Sequence, residues 1–590
     1  MPKLLIDGKN VEVPEGTTIL AAAEQAGIKI PTLCYLKDVQ AIGACRVCVV
    51  EVEGYRNLVA SCVTPVNEGM HVLTNSRRVR ESRRTVLDLI LSDHDGECQT
   101  CERNEDCELQ MVSRALGMRE ITNTGEKSRK ITDDRTPALD RNSAKCIHCR
   151  RCVTVCSEVQ GVRALNPQGR GFKTIIGPAF NRGLDTVACV QCGQCAAVCP
   201  VGAISEKNHI NAVWAALDNP SLHVIVQTAP AIRATLGECF GYPPGTRVMG
   251  RMVAALRRLG FDGVFDTEFS ADLTIIEEGN ELLTRLKQAL VEKKPVALPQ
   301  FTSCCPGWIK YSEHFYPELL PNLSSCKSPQ QMFGALAKSF YAEKLGKRPE
   351  DIFVVSVMPC TAKKFEAQRP EMNASGVQDV DAVLTTRELA TMIKQGGVDF
   401  DKLTDEAMDS PFGLTASGAA DIFANTGGVM EAALRTVYEV VTGRELPLKG
   451  LHVKPIAGLK GVKTASLVIK DALPEWSFLE GVTLKIGVAH GLENARRIIE
   501  KVKSGQEEFH FIEVMTCPGG CIGGGGQPRL TSDKVRKLRI EAIYREDEGK
   551  KVRKSHESPE IKKIYKDYLG KPLGKKSHHL LHTGYQKRES

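Results

Sequence analysis

The sequence has 590 residues, of which 42% are hydrophobic and 25% are charged, and its formal net charge is +7. A chain of this length is too long to fold around one hydrophobic core, and it predicts about four domains at roughly 150 residues each. There is no apolar run of 18 residues and no basic face interleaved with stacking aromatics, which argues against a membrane span and against nucleic-acid binding.

The 22 cysteines are the unusual feature of this composition. The first residues contain no apolar signal segment, so secretion and a disulfide framework are not expected. Ten of the cysteines belong to C-x-x-C motifs, which are typical of metal sites in a reducing compartment. We therefore expect a cytoplasmic metalloprotein.

Residues 1–80 predict a β-grasp, ferredoxin-like domain. Residues 3–13 alternate around a turn and predict a hairpin, and residues 17–23 predict a capped helix. The cysteines that follow, spaced C-x10-C-x2-C-x13-C, are Cys34, Cys45, Cys48 and Cys62. Four thiolates can enclose a [2Fe–2S] centre, and Gly43 and Ala44 leave room for backbone N–H groups around it. Zinc is the alternative, which the ferredoxin-like opening disfavours.

Residues 81–125 predict a helical cluster-binding segment. Its candidate ligands, spaced H-x3-C-x2-C-x5-C, are His94, Cys98, Cys101 and Cys107. They can bind a [4Fe–4S] cluster. Zinc would accept the same four ligands, so the neighbouring iron–sulfur patterns favour iron.

Residues 126–210 predict a bacterial 2[4Fe–4S] ferredoxin domain with two C-x2-C-x2-C-x3-C runs. In such domains the fourth cysteine of each run binds the other cluster. One cluster is therefore expected on Cys146, Cys149, Cys152 and Cys199. The other is expected on Cys189, Cys192, Cys195 and Cys156.

From about residue 211 the sequence alternates between short apolar runs and helical patterns, which predicts parallel sheets with crossover helices. Strands are predicted at residues 223–228, 295–298, 352–357 and 511–514. The last three run into cysteine-containing segments at residues 302–308, 358–364 and 515–521. Because open α/β sheets place their sites at the carboxyl ends of strands, these segments are expected to converge.

The converging segments hold one cysteine more than a [4Fe–4S] cubane needs. The four ligands are available from Cys305, Cys360, Cys517 and Cys521. Cys304 is then a free thiol beside a metal centre, where it can exchange a proton. Glycines at 519–520 and 523–526 are expected to let a bulky group approach the backbone. Cys239 and Cys326 are interpreted as small buried hydrophobic residues.

The three segments closely resemble the signature motifs of [FeFe]-hydrogenases, and the preceding cysteine sets resemble those of the modular clostridial form. The resemblance covers essentially the whole chain. It implies an oxygen-sensitive enzyme that catalyses 2H⁺ + 2e⁻ ⇌ H₂ at an H-cluster, a cubane joined through a cysteine to a di-iron subsite with carbonyl, cyanide and azadithiolate ligands. The implied cofactors are one [2Fe–2S] cluster, three accessory [4Fe–4S] clusters and the H-cluster.

The resemblance also implies individual roles. Cys521 matches the cysteine that bridges to the di-iron subsite, and Lys363 matches a hydrogen-bond donor to a cyanide. Other pocket positions are matched by Pro230, Ala231, Ser328, Gln330, Met358 and Met515. Some relatives have serine in place of Ala231, which removes one possible cyanide hydrogen bond.

A proton path from Cys304 is implied through Glu278, Ser324 and Glu281 to Arg285. The sequence alone favours solvated carboxylates on one helix face, and only the family match reverses that interpretation. Burial of this path is expected to raise the pKa of its carboxyl groups.

The predicted fold is thus α+β and multidomain, with an α/β catalytic domain of two parallel or mixed sheets at residues 211–533. Residues 534–590 resemble the small-subunit region that wraps this domain, and residues 559–569 predict an amphipathic helix. The histidines 578, 579 and 582 are interpreted as structural, because no cysteine is expected near them.

The expected partners are an electron carrier and the maturation proteins that install the H-cluster. The sequence has no nucleotide-binding glycine motif followed by a suitable acidic residue, so NAD(H) would bind a partner subunit; ferredoxin is the alternative. The basic residues 77–84 could dock an acidic partner, although a solvated helix face is the simpler interpretation.

Two rival functions share parts of this pattern. An electron-transfer subunit of an NADH or formate dehydrogenase would share residues 1–210 but would not explain the three catalytic segments. A hydrogenase-like iron–sulfur assembly protein would keep the cubane but would need neither Cys304 nor Lys363.

Overall fold

The computed structural model describes residues 1–128, 130–412, 416–447, 454–529 and 531–589. The chain is an α+β multidomain protein with three sheets of four or five strands and two smaller ones among these residues. Within the same residues, no helix has the length and apolar character needed to cross a bilayer.

The N-terminal sheet contains β1 (Lys3–Ile6), β2 (Lys9–Glu12), β3 (Val49–Val52), β4 (Val59–Ala60) and β5 (Met70–Leu73), in the order β2-β1-β5-β3-β4. Helix α1 (Ile19–Gln25) follows β2 and buries Ile19 and Leu20. The predicted hairpin is confirmed, since Asp7 and Gly8, both with positive φ, join antiparallel β1 and β2. The predicted cap is confirmed at Thr18, whose side chain accepts a hydrogen bond from the N–H of Ala21.

Short elements connect this sheet to the catalytic region. The helices are α2 (Arg77–Asp93), α3 (Glu108–Ala115), α4 (Arg151–Thr154), α5 (Gln194–Val198) and α6 (Ile210–Leu217). The strands are β6 (Thr132–Asp133), β7 (Leu139–Asn142), β8 (Asn166–Gln168), β9 (Ile175–Gly177) and β10 (Ile204–Glu206). The basic residues 77–84 begin α2 and are mostly exposed, although Arg83 is buried and donates to the carbonyl oxygen of Val49 at 2.7 Å.

Two four-stranded sheets form the catalytic region. Their strands are β11 (His223–Thr228), β12 (Gly263–Asp266), β13 (Gln300–Phe301), β14 (Ile352–Met358), β15 (Ala382–Thr385), β16 (Val462–Val468), β17 (Thr483–His490) and β18 (Phe511–Met515). The first sheet, β12-β11-β14-β15, is entirely parallel. The second, β13-β18-β17-β16, is parallel except for β16. The predicted strands at 223–228, 352–357 and 511–514 are confirmed.

Helices cover both sheets. They are α7 (Met249–Arg258), α8 (Glu268–Leu290), α9 (Pro306–Phe315), α10 (Pro329–Leu336), α11 (Ala342–Leu345), α12 (Ala362–Ala367), α13 (Thr386–Gln395), α14 (Gly418–Asp421), α15 (Gly428–Thr442) and α16 (Leu492–Lys503). The strands β11 and β14 are buried almost throughout, as expected for parallel strands covered on both faces.

The prediction of a strand at residues 295–298 was wrong. The only strand in this stretch is β13, at Gln300–Phe301. Pro295 begins the predicted strand and Pro299 directly follows it, and neither has the backbone N–H that a ladder requires. Pairing with β18 therefore begins only after Pro299.

The C-terminal residues fold onto the catalytic region as α17 (Asp533–Gly549), α18 (Pro559–Ile564) and α19 (Lys575–Leu581). The predicted amphipathic helix is confirmed, because α18 continues as a π-helical turn at Tyr565–Leu569. The reason given for a structural histidine cluster was wrong: possible ligand atoms of Glu281, Cys326 and His582 lie within 4.8 Å of one another. The His582 ring is nevertheless engaged with Ser325 (2.8 Å) and Glu277 (3.2 Å).

Candidate active site

One cavity brings together all three cysteine segments. It is lined by Cys304, Cys305, Cys360, Cys517 and Cys521. Cys305 precedes α9, Cys360 follows β14 and Cys517 follows β18, so each lies at the carboxyl end of a strand. The remaining lining is largely apolar, with Lys363 as its one cation.

The thiols of this cavity fit an iron cluster. Burial, and then the charge of Cys305, raise the pKa of Cys360 to about 12, although Lys363 lowers it in part. Burial and the charges of neighbouring cysteines likewise raise the pKa of Cys517 and Cys521. Thiolates crowded in this way need a positive centre, which iron supplies. Thr516 adds an N–H that points to the Cys305 sulfur at 3.4 Å.

Cys304 lies at the start of a buried polar row. Burial, and then the charge of Glu278, raise the pKa of the Cys304 thiol well above its usual range, so it carries a proton. Burial, and then the charge of Glu281, raise the pKa of Glu278 to about 8. Among the described residues, neither carboxylate oxygen of Glu278 makes a hydrogen bond of normal geometry. The Ser324 hydroxyl and the Ser303 backbone nevertheless lie near enough to lower the pKa of Glu278 in part.

The outer half of this row is continuous. The Ser324 hydroxyl donates to Glu281 at 2.7 Å, and Glu281 accepts from Arg285 at 2.7 Å. Arg285 also donates to the carbonyl oxygen of Leu323 at 2.9 Å. The side chains of Glu281 and Arg285 are each 13% exposed, whereas Glu278 is 1% exposed, so the row leads outward from the cavity.

Lys363 is held by a partner that sequence reasoning missed. Its Nζ atom donates to Glu366 at 2.8 Å and to the carbonyl oxygen of Cys304 at 3.1 Å. Glu366 also accepts from Ser328 at 2.8 Å and from Gln330 at 3.2 Å. The spacing of Lys363 and Glu366, three residues apart on α12, is a signal that could have revealed this pair.

Not all of the other residues implied for the pocket line the cavity. Those that line the cavity are Pro230, Ala231, Gln330, Met358 and Met515. Ser328 does not line it, since its hydroxyl is turned to Glu366 behind Lys363. The segment with Pro230 and Ala231 is fixed by buried Arg233, which sequence reasoning also missed and which contacts Asp266 (2.8 Å), Glu268 (2.7 Å) and Asp421 (3.1 Å).

The glycines near Cys517 and Cys521 mainly allow other segments of the same chain to pack closely against their backbone. A Cβ atom on Gly524 would lie 2.1 Å from the carbonyl oxygen of Pro359, and one on Gly525 would lie 2.2 Å from that of Cys192. Gly520 and Gly524 line the cavity, but Gly523, Gly525 and Gly526 do not. The expectation that the whole run admits a bulky group was therefore too broad.

The first accessory set lies at one end of the N-terminal sheet. The Sγ atoms of Cys48 and Cys62 are 3.4 Å apart, and the N–H of Cys45 points to the Cys34 sulfur at 3.5 Å. Gly43 has a φ of +59° and its backbone N–H is directed at Cys62. Closely spaced sulfurs with backbone donors are the environment that a [2Fe–2S] centre requires.

His94 is placed to act as a ligand through one nitrogen. Its Nε2 atom is buried and has no hydrogen-bond partner among the described residues. The Nδ1 atom lies 3.1 Å from the Gly96 nitrogen and 3.3 Å from Oδ1 of Asp95. Burial lowers the pKa of His94, which keeps the imidazole neutral, as metal binding requires.

Each group of ferredoxin-type cysteines combines residues from both C-x2-C-x2-C-x3-C runs. A second cavity is lined by Cys146, Cys149, Cys152 and Cys199. In the other set, the pKa of Cys192 is raised by burial and then by the charges of Cys195, Cys189 and Cys156. The fourth cysteine of each run thus lies with the first three of the other run.

This last set adjoins the main cavity. Besides the close approach of Gly525 to Cys192, the Thr361 hydroxyl donates to the carbonyl oxygen of Gln191 at 2.7 Å. The charge of Cys192 also contributes to the raised pKa of Cys517. The set of Cys189, Cys192, Cys195 and Cys156 therefore lies next to the cavity.

The sequence matches five families of known description. Residues 222–525 match "Iron only hydrogenase large subunit, C-terminal domain" and residues 533–588 match "Iron hydrogenase small subunit". Residues 3–77 match a 2Fe-2S cluster binding domain, and residues 83–122 match "NADH-ubiquinone oxidoreductase-G iron-sulfur binding region". Residues 145–203 match a 4Fe-4S dicluster domain.

Known proteins are similar over the full chain. The "NADP-reducing hydrogenase subunit HndD" of Solidesulfovibrio fructosivorans is 52% identical, covering 100% of this chain and 99% of that protein. "Iron hydrogenase 1" of Clostridium pasteurianum is 41% identical over 100% of both chains. The structure of apo [FeFe]-hydrogenase HydA1 from Chlamydomonas reinhardtii covers 65% of this chain and 99% of its own, at 42% identity and a TM-score of 0.58. The chain belongs to the iron-only, or [FeFe], hydrogenase family and has its modular architecture with N-terminal iron–sulfur domains.

Proposed function

We propose that this chain is a catalytic subunit that interconverts protons and H₂ according to 2H⁺ + 2e⁻ ⇌ H₂. The observation that carries the proposal is the convergence of four cysteines and one additional thiol, that of Cys304, on a single cavity. An electron-transfer subunit would need no such cavity, and a protein that held only a cubane would need no fifth thiol.

The H-cluster would be held by Cys305, Cys360, Cys517 and Cys521, with Cys521 also bridging to the di-iron subsite. When bound, it supplies iron that exchanges electrons and takes part in making and breaking the H–H bond. Lys363 places an ammonium group at the cavity wall, where it can donate to an anionic ligand. Met358 and Met515 exclude water from the same wall.

Protons would move between Cys304 and the surface through Glu278, Ser324, Glu281 and Arg285. Cys304 acts as the general acid or base closest to the cavity, since its thiol is protonated and Glu278 lies behind it. With a pKa of about 8, Glu278 can both give and take a proton near neutral pH. Arg285 keeps Glu281 in place at the outer end.

Electrons would reach the cavity through four accessory clusters: one [2Fe–2S] cluster on the Cys34 set and three [4Fe–4S] clusters on the His94, Cys146 and Cys189 sets. The N–H of Arg103 points to the Cys101 sulfur at 3.5 Å, and its guanidinium donates to the carbonyl oxygen of Cys199. This places the His94 set beside the Cys146 set. The Cys189 set is next to the cavity.

A partner subunit that binds NAD(P) is the first candidate for the electron partner, because a relative similar over the full chain is named an NADP-reducing hydrogenase subunit. Ferredoxin is the second candidate, supported by the basic and exposed start of α2. Reduced ferredoxin alone should fail to drive rapid H₂ production if the partner subunit is required, whereas rapid turnover would favour direct ferredoxin coupling.

The proposed reaction is tested with protein that has been matured without oxygen and supplied with a chemically reduced dye. Wild-type protein should evolve H₂, whereas Cys360→Ser and Cys517→Ser should not. Cys239→Ser is the matched control, because Cys239 lies outside the cavity. Wild-type protein that contains the complete set of iron yet neither evolves nor consumes H₂ would refute the proposal.

A further inference from the structure

The loop that carries Cys34 shares an apolar interior with the ferredoxin-type region. Leu33 and Val47 are completely buried, and both belong to the apolar cluster that contains Cys152 and Cys199. The N-terminal ligand set is therefore packed against the Cys146 set and is not joined to it merely by a linker.

One buried side chain, Gln40, connects the two sets directly. Its Nε2 atom donates to the carbonyl oxygen of Cys34 at 2.7 Å and to that of Cys149 at 2.9 Å. Its Oε1 atom accepts from the hydroxyl of Thr154. Gln40 is only 4% exposed, and 109 residues separate it from Cys149 in the sequence.

The chemistry of this position demands an amide. Two carbonyl oxygens need N–H donors and one hydroxyl needs an acceptor, and the glutamine amide supplies both from one planar group. A glutamate would set a carboxylate against the carbonyl oxygens of Cys34 and Cys149. A leucine would leave the same buried acceptors without partners, which is costly in a protein interior.

We propose that Gln40 is a positioning residue that fixes the orientation of the [2Fe–2S] ligand set relative to the Cys146, Cys149, Cys152 and Cys199 set. This inference rests on the proposed ligand assignments. Gln40 acts through the backbone of Cys34 and Cys149, so its loss should leave the number of cluster ligands unchanged.

The test compares Gln40→Leu and Gln40→Glu with Gln25→Leu, an exposed glutamine of the same domain. Thr154→Val removes only the third hydrogen bond and should have the smallest effect of the contact variants. Each full-length protein is prepared without oxygen, loaded with iron and sulfide, and assayed for iron content. Gln40→Asn, whose shorter amide can reach only one carbonyl, substitutes for any variant that fails to fold.

Two readouts other than turnover decide the outcome. Hydrogen exchange at the amides of residues 34–40 should become about tenfold faster in Gln40→Leu, as expected when a buried hydrogen bond no longer opposes local opening. In electron paramagnetic resonance spectra of reduced protein, magnetic broadening between the two clusters should be lost in both Gln40 variants and retained in Gln25→Leu.

If the Gln40 variants kept the wild-type rate of hydrogen exchange and the wild-type magnetic broadening, the proposal would be overturned while the ligand assignment stayed intact. A wild-type protein without any [2Fe–2S] signal would instead refute the assignment of Cys34, Cys45, Cys48 and Cys62, and the positioning role with it. The two failures are therefore distinguishable in the same experiment.

Discussion

At the scale of single residues, Cys304 is the thiol whose role is most specific. Replacing it with alanine should leave the four cluster ligands in place and lower H₂ turnover by at least about 100-fold, the usual cost of losing a general acid or base. Turnover and iron content are measured together, with Cys239→Ala as the control thiol. A Cys304→Ala protein that retains wild-type turnover would show that protons reach the cavity by another route.

The pKa of Glu278 gives the pH dependence of proton delivery. Because burial raises this pKa to about 8, the group is a neutral acid at pH 7 and becomes a carboxylate as the pH rises through 8. Proton donation toward Cys304 should therefore decline above pH 8, which is measured as H₂ evolution against pH. Glu278→Gln should be slow and nearly flat across this range. If Glu278→Gln kept both the rate and the pH profile of the wild type, Glu278 would not be part of the path.

Several of these residues could be found from the sequence, and others could not. The cysteine spacings are local, so they predict the ligand sets, including the exchange of Cys156 and Cys199 between runs. Gln40 and Arg233 act through contacts that only the folded chain creates, since Gln40 contacts Cys149 109 residues away and Arg233 contacts Asp421 188 residues away. No local pattern of residue types marks such positions.

At the scale of elements, the loop after Cys521 joins the accessory clusters to the cavity by close backbone contact. A Cβ atom at position 525 would lie 2.2 Å from the carbonyl oxygen of Cys192, so Gly525→Ala forces the two segments apart. We expect a loss of about 1–3 kcal/mol in stability, as for other overpacked sites, together with slower turnover. Thermal unfolding and H₂ evolution are measured beside Gly549→Ala, where the added methyl group meets no atom within 4 Å. Equal behaviour of the two variants would contradict this role for the loop.

A second element-scale contact fastens the C-terminal residues to α8. Glu277 accepts from the Tyr565 hydroxyl at 2.5 Å and from the Leu573 N–H at 2.8 Å, and it lies 3.2 Å from His582. Glu277→Leu would leave these groups buried without their partner, at a cost of about 1–3 kcal/mol each. Limited proteolysis should then cut residues 559–589 faster than in the wild type, whereas Glu277→Gln, which keeps an acceptor, should show a smaller change. Identical cleavage of the Leu variant and the wild type would refute the anchoring role.

The elements also show where sequence patterns reach their limit. Continuous apolar runs correctly located β11, β14 and β18, because strands buried on both faces have that composition. The same criterion failed at residues 295–298, where an apolar run lies between two prolines that cannot donate to a ladder. The glycines at 523–526 were noticed for their flexibility, yet their main requirement is close contact with Pro359, Cys192 and Thr385.

At the scale of the whole molecule, the proposed Cys34 and His94 ligand sets both adjoin the Cys146 set, and the Cys189 set lies next to the cavity. Gln40 joins the first set to the ferredoxin-type region, and Gly525 joins the last set to the catalytic segments. The proposed proton path leaves the cavity along α8 by way of Glu278 and Glu281. On this proposal, electrons and protons reach the same cavity by separate routes.

The central claim is that this enclosed site holds an iron centre with carbonyl and cyanide ligands. Infrared spectroscopy of protein matured without oxygen tests it most directly. We expect metal-carbonyl and cyanide bands in the wild type and in Cys304→Ala, and their loss in Cys521→Ala, which lacks the bridging thiolate. Iron-loaded wild-type protein without these bands would contradict the account.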